Sequence, residues 1–508
     1  MIGKQCSVHL QEESCGEKDQ RMALQCPQQP LTDPVLGQLA IDMLPDDALL
    51  EIFDFYLFSS PAERSEWHTL VHVCRRWRHL VFSSPRRLHL RLEYNGKRPI
   101  TEMLHVWPRL PIAIAQRRWD IWDHDSGNSH AWNMVEVLDS EYYDRICEID
   151  LFDIPNCHLE RIASAMQKPF PELTDLHLDF DYNAKHILPV AFLGGSAPQL
   201  RKLDLNRTPF PTIKKLLLSS NNLVTLRLWH VSDSGYISPE TMVTCLSVMP
   251  KLNQLELGFQ LPQSSPPQPS PDFASRYPPT VTRSVLPALT SFSFRGVCEY
   301  LEDIVARIDA TLLQNFRIEL LPLGFAVDLP QLHQFISRTE GLKNLYRATV
   351  VFSQCNFKIT LAQGTLEIGS SELSIIIWRR PFELLPSIAQ VCRSSLPPIP
   401  TLEHLKIDNG DPPPHWIDET ESTQWLQFLD PFVSVKNLDL PQKAALHVWN
   451  AGDRQNLAVG GPTEVLPALQ NLFIRDLEPL GPVQKAIHGF VTARQFFGHP
   501  VAVNKSKR

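Results

Sequence analysis

The sequence predicts an α/β fold in which a small helical unit precedes a long α/β solenoid built around a parallel sheet. Three observations favour this fold class. Two amphipathic helical patterns occupy residues 44–81, and a short apolar string returns ten times between Ile146 and Ile474. The chain of 508 residues is also too long for one small hydrophobic core. We therefore expect helices first and stacked strand–helix units after them.

The amino-terminal residues 1–38 are polar, rich in Gln and Glu, and show no hydrophobic period. Such a composition predicts a disordered arm. The first 20 residues contain no apolar stretch of the signal-peptide kind, and no run of 18 apolar residues occurs. We therefore expect a soluble protein of a reducing compartment, the cytoplasm or the nucleus, without contact to a membrane.

The first helical pattern covers residues 44–56. Pro45 suits the first helical position, because its missing N–H would be unpaired there, and Asp46 and Asp47 place negative charge at the positive end of the helix dipole. Four apolar residues then follow at helical spacing, namely Leu49, Ile52, Phe53 and Tyr56. The spacing predicts that these four share one apolar face.

The second helical pattern starts after Ser60–Glu63, which has the form of a capping box. Apolar residues again keep helical spacing at Leu70, Val73, Cys74, Trp77, Leu80 and Val81, while the arginines and histidine among them point elsewhere. A unit this small cannot bury both apolar stripes by itself, so an interface with another polypeptide is one interpretation. An ordinary helical hairpin packed on the rest of the chain is the other.

These residues resemble an F-box. The resemblance rests on the Leu44-Pro45 opening, the apolar pairs that follow it, and the V-C-R-R-W-R-x-L-V run of residues 73–81. With the continuation SSPRRLHLRL it is similar to fungal F-box proteins of the basidiomycete type, over about 40 of the 508 residues. The stretch of residues 57–66 departs from the compact family form, because it is longer and more polar.

The resemblance implies the substrate-recognition subunit of a Skp/cullin/F-box ubiquitin ligase, which acts in ubiquitin-dependent protein degradation. The F-box, within residues 40–90, would dock to the Skp-family adaptor and through it to a cullin, and the rest of the chain would bind the target protein. The adaptor-binding residues implied are Leu44, Pro45, Leu49, Leu50, Ile52, Phe53, Val73, Cys74, Trp77, Leu80 and Val81. The alternative is a protein-interaction scaffold that never joins a ligase.

Residues 91–145 are predicted to be a connecting segment with the first strands. Leu88, Leu90 and Leu92 alternate with polar residues, a pattern that predicts a strand with one buried face. The ten apolar strings begin at Ile146, Leu173, Leu200, Leu223, Leu252, Leu289, Leu313, Leu402, Val435 and Leu469. Each has apolar residues at its first, fourth and sixth positions.

Where the strings are dense, they start about 23 to 37 residues apart, which resembles the spacing of leucine-rich repeats. The resemblance is partial, because the Asn expected after the last apolar residue is missing. It implies an irregular leucine-rich-repeat-like solenoid over residues 146–480, with a parallel sheet and a layer of helices. Residues 342–400 fit the repeat least well.

Two further segments complete the organisation. Residues 261–280 contain seven prolines and are predicted to form an exposed loop between repeats, with a proline-rich ligand for a partner domain as the alternative. Residues 481–500 are predicted to form a helix that caps the stack, with Val483, Ile487, Phe490 and Val491 on one side.

Binding is the chemistry that the repeat region favours. Between the inward apolar positions, each strand would present variable residues on an outer face, where aromatic residues and arginines tend to dominate interface energies. The candidates for binding a target protein are Arg227, Trp229, Arg317, Tyr346 and Phe473. We expect no small-molecule substrate.

Motifs of catalysis are missing from the sequence: it has no phosphate-binding glycine loop, nucleophile elbow or H-E-x-x-H. The ten cysteines form no C-x-x-C pair, so we expect no zinc site. A polar cluster with Asp120, Asp123, His124, Asp125 and His130 invites a metal, but its spacing matches no defined site. The sequence thus predicts a protein that is not an enzyme and has no cofactor.

The formal net charge of −8 argues against a general nucleic-acid binder. The local exception is the arginine-rich run of residues 75–98, which holds one acidic residue, Glu93. A solvated face, or a surface for an acidic partner, is the favoured interpretation of this run. Nucleic-acid contact is the alternative, and it predicts an affinity that falls steeply with added salt.

Overall fold

The computed structural model of this chain describes residues 41–58, 67–85, 87–88, 90–95, 100–106, 110–115, 129–154, 156–180, 188–207, 213–232, 235–260, 283–321, 329–364, 371–378, 385–410, 422–450, 465–475 and 482–506. Four predictions fall on residues outside these ranges: the disordered arm, the capping box at Ser60–Glu63, the Asp120–Asp125 part of the polar cluster, and the proline-rich loop.

Within the described ranges the chain is α/β, with fourteen α-helices and eighteen strands. The helices are α1 (Asp46–Phe58), α2 (Trp67–Val73), α3 (Arg75–Ser83), α4 (Ile100–Val106), α5 (Ser129–Asp139), α6 (Asn156–Ala165), α7 (Ile213–Ser219), α8 (Pro239–Leu246), α9 (Cys298–Arg307), α10 (Pro330–Arg338), α11 (Leu385–Ser394), α12 (Ser422–Leu429), α13 (Gln442–Asn450) and α14 (Pro482–Phe496). In the same ranges, no helix combines the length and the apolar character that crossing a membrane requires.

The strands are β1 (Leu92–Tyr94), β2 (Ile112–Ala115), β3 (Ile146–Ile154), β4 (Asp175–Phe180), β5 (Lys202–Asn206), β6 (Thr225–Val231), β7 (Gln254–Phe259), β8 (Ser284–Val285), β9 (Ser291–Gly296), β10 (Ile308–Asp309), β11 (Asn315–Leu320), β12 (Arg347–Phe352), β13 (Asn356–Ala362), β14 (Glu372–Trp378), β15 (His404–Asn409), β16 (Asn437–Pro441), β17 (Asn471–Arg475) and β18 (Ala502–Ser506). All but β8 and β10, which pair with each other, belong to one 16-stranded sheet.

This sheet follows chain order along most of its length. Strands β1 to β7, β9 and β11 pair in succession, and β15 to β18 do the same, always in parallel. The exception is β13, which lies antiparallel between β12 and β14. This reversal falls within residues 342–400, so it explains why the apolar string is irregular there. The other pairings confirm the α/β class and the mostly parallel sheet.

The apolar strings form the core of the sheet. In all ten strings the last two apolar positions lie on a strand and are buried, as Leu203 and Leu205 are on β5. Neighbouring helices such as α8 and α9, or α12 and α13, pack on one another and share this core. Burying a Leu or Ile side chain contributes about 1.5–3 kcal/mol. The repeated strings therefore supply most of the driving force for stacking.

Two predictions of secondary structure need correction. Leu88 and Leu90 are buried but are not part of a strand, since β1 begins only at Leu92. Their alternation reflects burial against the helical unit instead. Helix α14 agrees with the predicted carboxy-terminal helix, but it packs beside α13 and is followed by β18, which pairs with β17. The last element of the sheet is therefore a strand.

The amino-terminal helices form a unit with a hydrophobic core of its own. Side chains of α1, α2 and α3 pack together with Leu88, Leu90 and Leu110, apart from the core of the large sheet. Among the described residues, Arg91 links this helical unit to the sheet. The Trp67 indole donates to the Arg91 carbonyl oxygen at 3.1 Å, and Arg91 forms an ion pair with Glu148 on β3.

Candidate interaction surfaces

The helical unit is held together by charged side chains at its start. Helix α1 begins at Asp46, so Pro45 precedes the helix and its carbonyl oxygen accepts the first helical hydrogen bond, from Leu49 N at 3.1 Å. Arg76 of α3 binds the Asp46 carboxylate and the Leu44 carbonyl oxygen, both at 2.6 Å. These bonds fix the start of α1 against α3 and explain why acidic residues stand there.

The junction between α2 and α3 is set by Cys74. Its sulfur accepts a hydrogen bond from the Trp77 backbone N–H at 3.4 Å, which caps the amino terminus of α3. The capped helix places the Trp77 ring against Phe53 of α1, with ring centroids 4.7 Å apart. Cys74 and Trp77 are therefore structural residues of the unit and are half-buried.

The eleven predicted adaptor-binding residues divide into three groups. Buried inside the unit are Leu49, Leu50, Phe53, Leu80 and Val81; half-buried are Leu44, Cys74 and Trp77; exposed are Pro45, Ile52 and Val73. Leu49, Ile52, Phe53 and Tyr56 keep their helical spacing on α1, but they are not equally buried. Leu49 and Phe53 are fully buried, and Phe53 contacts Trp77 of α3, whereas Ile52 and Tyr56 are exposed.

A set of large apolar side chains on α1 is left exposed. Ile52 is 43% exposed, Phe55 77% and Tyr56 40%, and their spacing places them on one side of the helix. We call these three residues the outer face of α1. Sequence reasoning missed Phe55. The sequence does contain a sign of this exposure, because the short helix α1 has more apolar residues than one buried stripe can hold.

Four described arginines of the arginine-rich run, Arg76, Arg78, Arg87 and Arg91, contact other groups of the protein. Arg87 pairs with Asp47 and Glu51 of α1 at 3.2 and 2.5 Å, and these carboxylates raise the pKa of Arg87, with the Glu51 hydrogen bond as the main cause. Arg78 donates to the Val71 carbonyl oxygen at 2.8 Å. Arg78 and Arg87 therefore serve the helical unit itself.

A second surface is the outer face of the sheet, opposite the helices. The strand register aligns one residue from each of thirteen strands of the sheet into a row, which we call the outer row: Asp150, His177, Asp204, Arg227, Glu256, Ser293, Arg317, Ser374, Thr360, Thr349, Lys406, Asp439 and Phe473. Polar residues dominate this row because its backbone positions face away from the core.

Charges of opposite sign alternate at the amino-terminal end of the outer row. His177 lies 2.6 Å from Asp150, and Arg227 lies 2.9 Å from Glu256 and 3.5 Å from Asp204. Burial raises the pKa of Asp204, although His177 and Arg227 act in the opposite direction. Such cross-strand pairs stabilise the sheet. They also place acidic and basic side chains next to one another along this face.

The five predicted target-binding residues are only partly brought together. Trp229 and Arg317 line one cleft, and Arg227 stands beside it through its contact with Glu256. Tyr346 precedes β12 with its ring 6.2 Å from His404, and Phe473 lies on β17, so both are several strands away. The structure thus separates the five residues into one group of three and two single positions.

We call this cleft the serine cleft. It has a volume of about 480 Å³ and runs across β6, β7, β9, β11 and β14. Trp229 and Glu256 lie on one side, Glu372 and Ser374 on the other, and Ser291, Ser293, Arg317 and Glu319 lie between them. The Trp229 indole donates to Glu256 at 2.8 Å, and Arg317 pairs with Glu319 at 2.6 Å. Sequence reasoning missed the serines, since short hydroxyl residues on a strand carry no distinctive signal.

A larger cleft of about 690 Å³ lies where the helical unit meets the first strands. Both arginines that line it contact the protein, since Arg91 pairs with Glu148 and Arg145 donates to the Leu110 carbonyl oxygen at 2.7 Å. Burial raises the pKa of its thiol, Cys147, to about 11, which keeps the sulfur protonated. This cleft therefore offers no activated nucleophile.

Among the described residues, no three His, Cys, Asp or Glu side chains are grouped so as to hold a metal ion. In comparisons with known proteins, no family model matches the chain and no curated protein is significantly similar to it. Among the described residues, two surfaces are candidates for binding: the apolar outer face of α1 and the polar outer face of the sheet.

Proposed function

We propose that this chain is the substrate-recognition subunit of a Skp/cullin/F-box ubiquitin ligase. The observation that carries the proposal is the outer face of α1, where three large apolar side chains are exposed although the helical unit already has a core. Exposed apolar groups of this kind mark binding surfaces. The helical unit is the F-box and docks to a Skp-family adaptor, which links it to a cullin.

The sheet and its helices form the target-binding part of the proposed subunit. We interpret the strand–helix units as an irregular leucine-rich-repeat-like solenoid, supported by the chain-order pairing of β3 to β7 and by the ten apolar strings. The outer row offers one continuous polar surface for a target protein. The protein acts by binding, in the cytoplasm or the nucleus, and the ligase partners supply the chemistry.

A scaffold outside any ligase is the alternative. It predicts that the sheet covers Leu49, Phe53 and Trp77. Leu49 and Phe53 are indeed fully buried, but they belong to the core of the helical unit itself, together with Leu88, Leu90 and Leu110. The outer face of α1 stays open, and this arrangement favours the ligase subunit over the scaffold.

The proposal predicts that charge on the outer face of α1 abolishes adaptor binding without unfolding the protein. We expect the double variant Ile52→Asp/Phe55→Asp to bind a purified Skp-family adaptor at least about a hundredfold more weakly, since two buried side chains at about 1.5–3 kcal/mol each contribute about 3–6 kcal/mol together. Isothermal titration with the full chain measures this. Leu50 is unsuitable for such a test, because it is 6% exposed and its replacement by Asp would disrupt the core.

The control is Phe496→Asp, which places an aspartate at an aromatic position that is 86% exposed at the end of α14. It should bind the adaptor like the unmodified chain. Equal affinity of the double variant and the control, or no binding of the adaptor by the unmodified chain, would contradict the proposed function.

A further inference from the structure

The serine cleft carries more negative than positive charge. Three carboxylates line it, those of Glu256, Glu319 and Glu372, against one guanidinium, that of Arg317. Glu256 and Glu319 are already paired, with Arg227 and Arg317. Within the described part of the chain, Glu372 has no ion-pair partner. The cleft therefore has a carboxylate available for a cation from outside.

Ser374 gives a second and independent indication of a ligand. Its side chain is 3% exposed and lines the cleft, and among the described residues its hydroxyl has no hydrogen-bond partner. A buried hydroxyl without a partner costs about 1–3 kcal/mol, so such groups usually have a partner in the functional state. Ser374 lies two residues after Glu372, on the same side of β14, so one ligand group can reach both.

Trp229 supplies an aromatic ring at the opposite end of the cleft. The ring lies over Gly258 of the next strand, where an added Cβ would come within 2.2 Å of it. Its N–H is bound to Glu256, which holds the indole in place. A guanidinium is planar and donates several hydrogen bonds to carboxylates and hydroxyls, as the end of the cleft with Glu372 and Ser374 requires. An anion would instead meet the carboxylate of Glu372.

We propose that the serine cleft binds an arginine side chain presented by an extended segment of the target protein. Glu372 accepts the charged hydrogen bonds of the guanidinium and Ser374 accepts one more, while Trp229, four strands away, borders the far end of the cleft. This inference rests on the proposed function in that it names what the target presents, but the cleft can be tested without the adaptor.

The test measures fluorescence anisotropy of labelled heptapeptides, Gly-Ser-Gly-X-Gly-Ser-Gly, with the full chain, where X is arginine, lysine, citrulline or glutamate. We expect saturable binding of the arginine peptide, at least tenfold weaker binding of the other three, at least tenfold weaker binding of arginine by Glu372→Gln, and about threefold weaker binding by Ser374→Ala. The control Glu160→Gln removes an exposed carboxylate of α6 and should change nothing.

The inference is overturned if the arginine peptide shows no saturable binding up to millimolar concentration, if lysine or glutamate binds equally well, or if Glu372→Gln and Ser374→Ala bind like the unmodified chain. The Ile52→Asp/Phe55→Asp variant should retain full peptide affinity. Loss of adaptor binding alone therefore reports on the proposed function, and loss of peptide binding alone reports on the cleft.

Discussion

Gly258 and Trp229 together shape one end of the serine cleft. Because Gly258 has no side chain, the indole of the neighbouring strand can lie across it and still reach Glu256. The close approach, and not a special backbone angle, is what requires glycine at this position. A single residue type on β7 thereby decides where the aromatic ring of β6 stands.

Replacing this glycine is a test at the residue scale. We expect Gly258→Ala to displace the Trp229 ring and to destabilise the protein by about 1–3 kcal/mol. Urea unfolding measures the change. The control Gly489→Ala, in α14 with no atom within 4 Å of the added Cβ, should instead stabilise by about 0.5–1 kcal/mol. Equal stability of the two variants would refute the crowding argument.

Individual residues also show where the sequence is informative. Inward positions such as Leu226 and Leu228 were predicted correctly, because an apolar residue in a period-two pattern has one favourable place, the core. The outward candidates for target binding lie at separate places on the sheet. Arg227 and Phe473 have the same strand position, yet only the pairing of distant strands decides which of them borders a cleft.

At the scale of elements, the irregular segment between β12 and β14 is held by aromatic packing. Trp425 of α12 is fully buried and meets Phe352 of β12 edge to face at 5.4 Å, and Phe428 on the same helix contacts Phe352 and Phe357. Helix α12 thus covers the two strands that run antiparallel to each other. The aromatic rings fill the space left where the regular repeat is interrupted.

We expect Trp425→Ala to destabilise the protein by about 3–5 kcal/mol, because it leaves a cavity under the antiparallel pair. Guanidinium unfolding monitored by circular dichroism measures the change. Gln427→Ala, at an exposed position of the same helix, is the control and should lie within about 0.5 kcal/mol of the unmodified chain. A small effect of Trp425→Ala would mean that α12 does not support these strands.

Helix α1 shows why element boundaries were predictable and element faces were not. Pro45, Asp46 and Asp47 mark its start correctly to within one residue, since capping depends on local chemistry. Which of its apolar residues become buried depends on α3, whose position is set by contacts between residues about 30 apart, such as that of Arg76 with Asp46. Periodicity alone could not separate Leu49 from Ile52.

The whole molecule responds to pH through histidines that burial holds neutral. Burial is the main cause that lowers the pKa of His158, His230 and His404, aided by Arg161, Arg295 and Arg347 respectively. In the unfolded chain these histidines take up protons near pH 6.5, and in the folded chain they do so only at lower pH. The unfolded state thus binds more protons in this window, so acid destabilises the fold.

We expect the melting temperature to be stable above pH 7 and to fall steadily as the pH drops from 6.5 towards 5. Differential scanning calorimetry over this range measures the fall. His158→Gln should reduce this fall in melting temperature, because it removes one group that takes up a proton more readily in the unfolded chain than in the folded one. His488→Gln, at an exposed site of α14, should not reduce it. A melting temperature that rises on acidification would contradict the expected sign of the pH dependence.

At this largest scale, the sheet shows how far a repeating pattern reaches. The ten apolar strings predicted ten of its strands, their buried faces and their parallel stacking, because each string specifies the same local geometry and neighbours of equal geometry stack. The insertion of β13 and the final strand β18 were not predicted. Both depend on which strand edges are available for pairing, and that is a property of the assembled sheet.

The sequence by itself determined the α/β class, the positions of the core residues and the presence of a helical unit before the sheet. These follow from hydrophobic period and capping, which act over a few residues. Only the tertiary structure decided that Ile52, Phe55 and Tyr56 stay exposed and that Trp229, Glu372 and Ser374 border one cleft. The physical reason is that a surface is what packing leaves uncovered, and packing joins residues far apart in the chain.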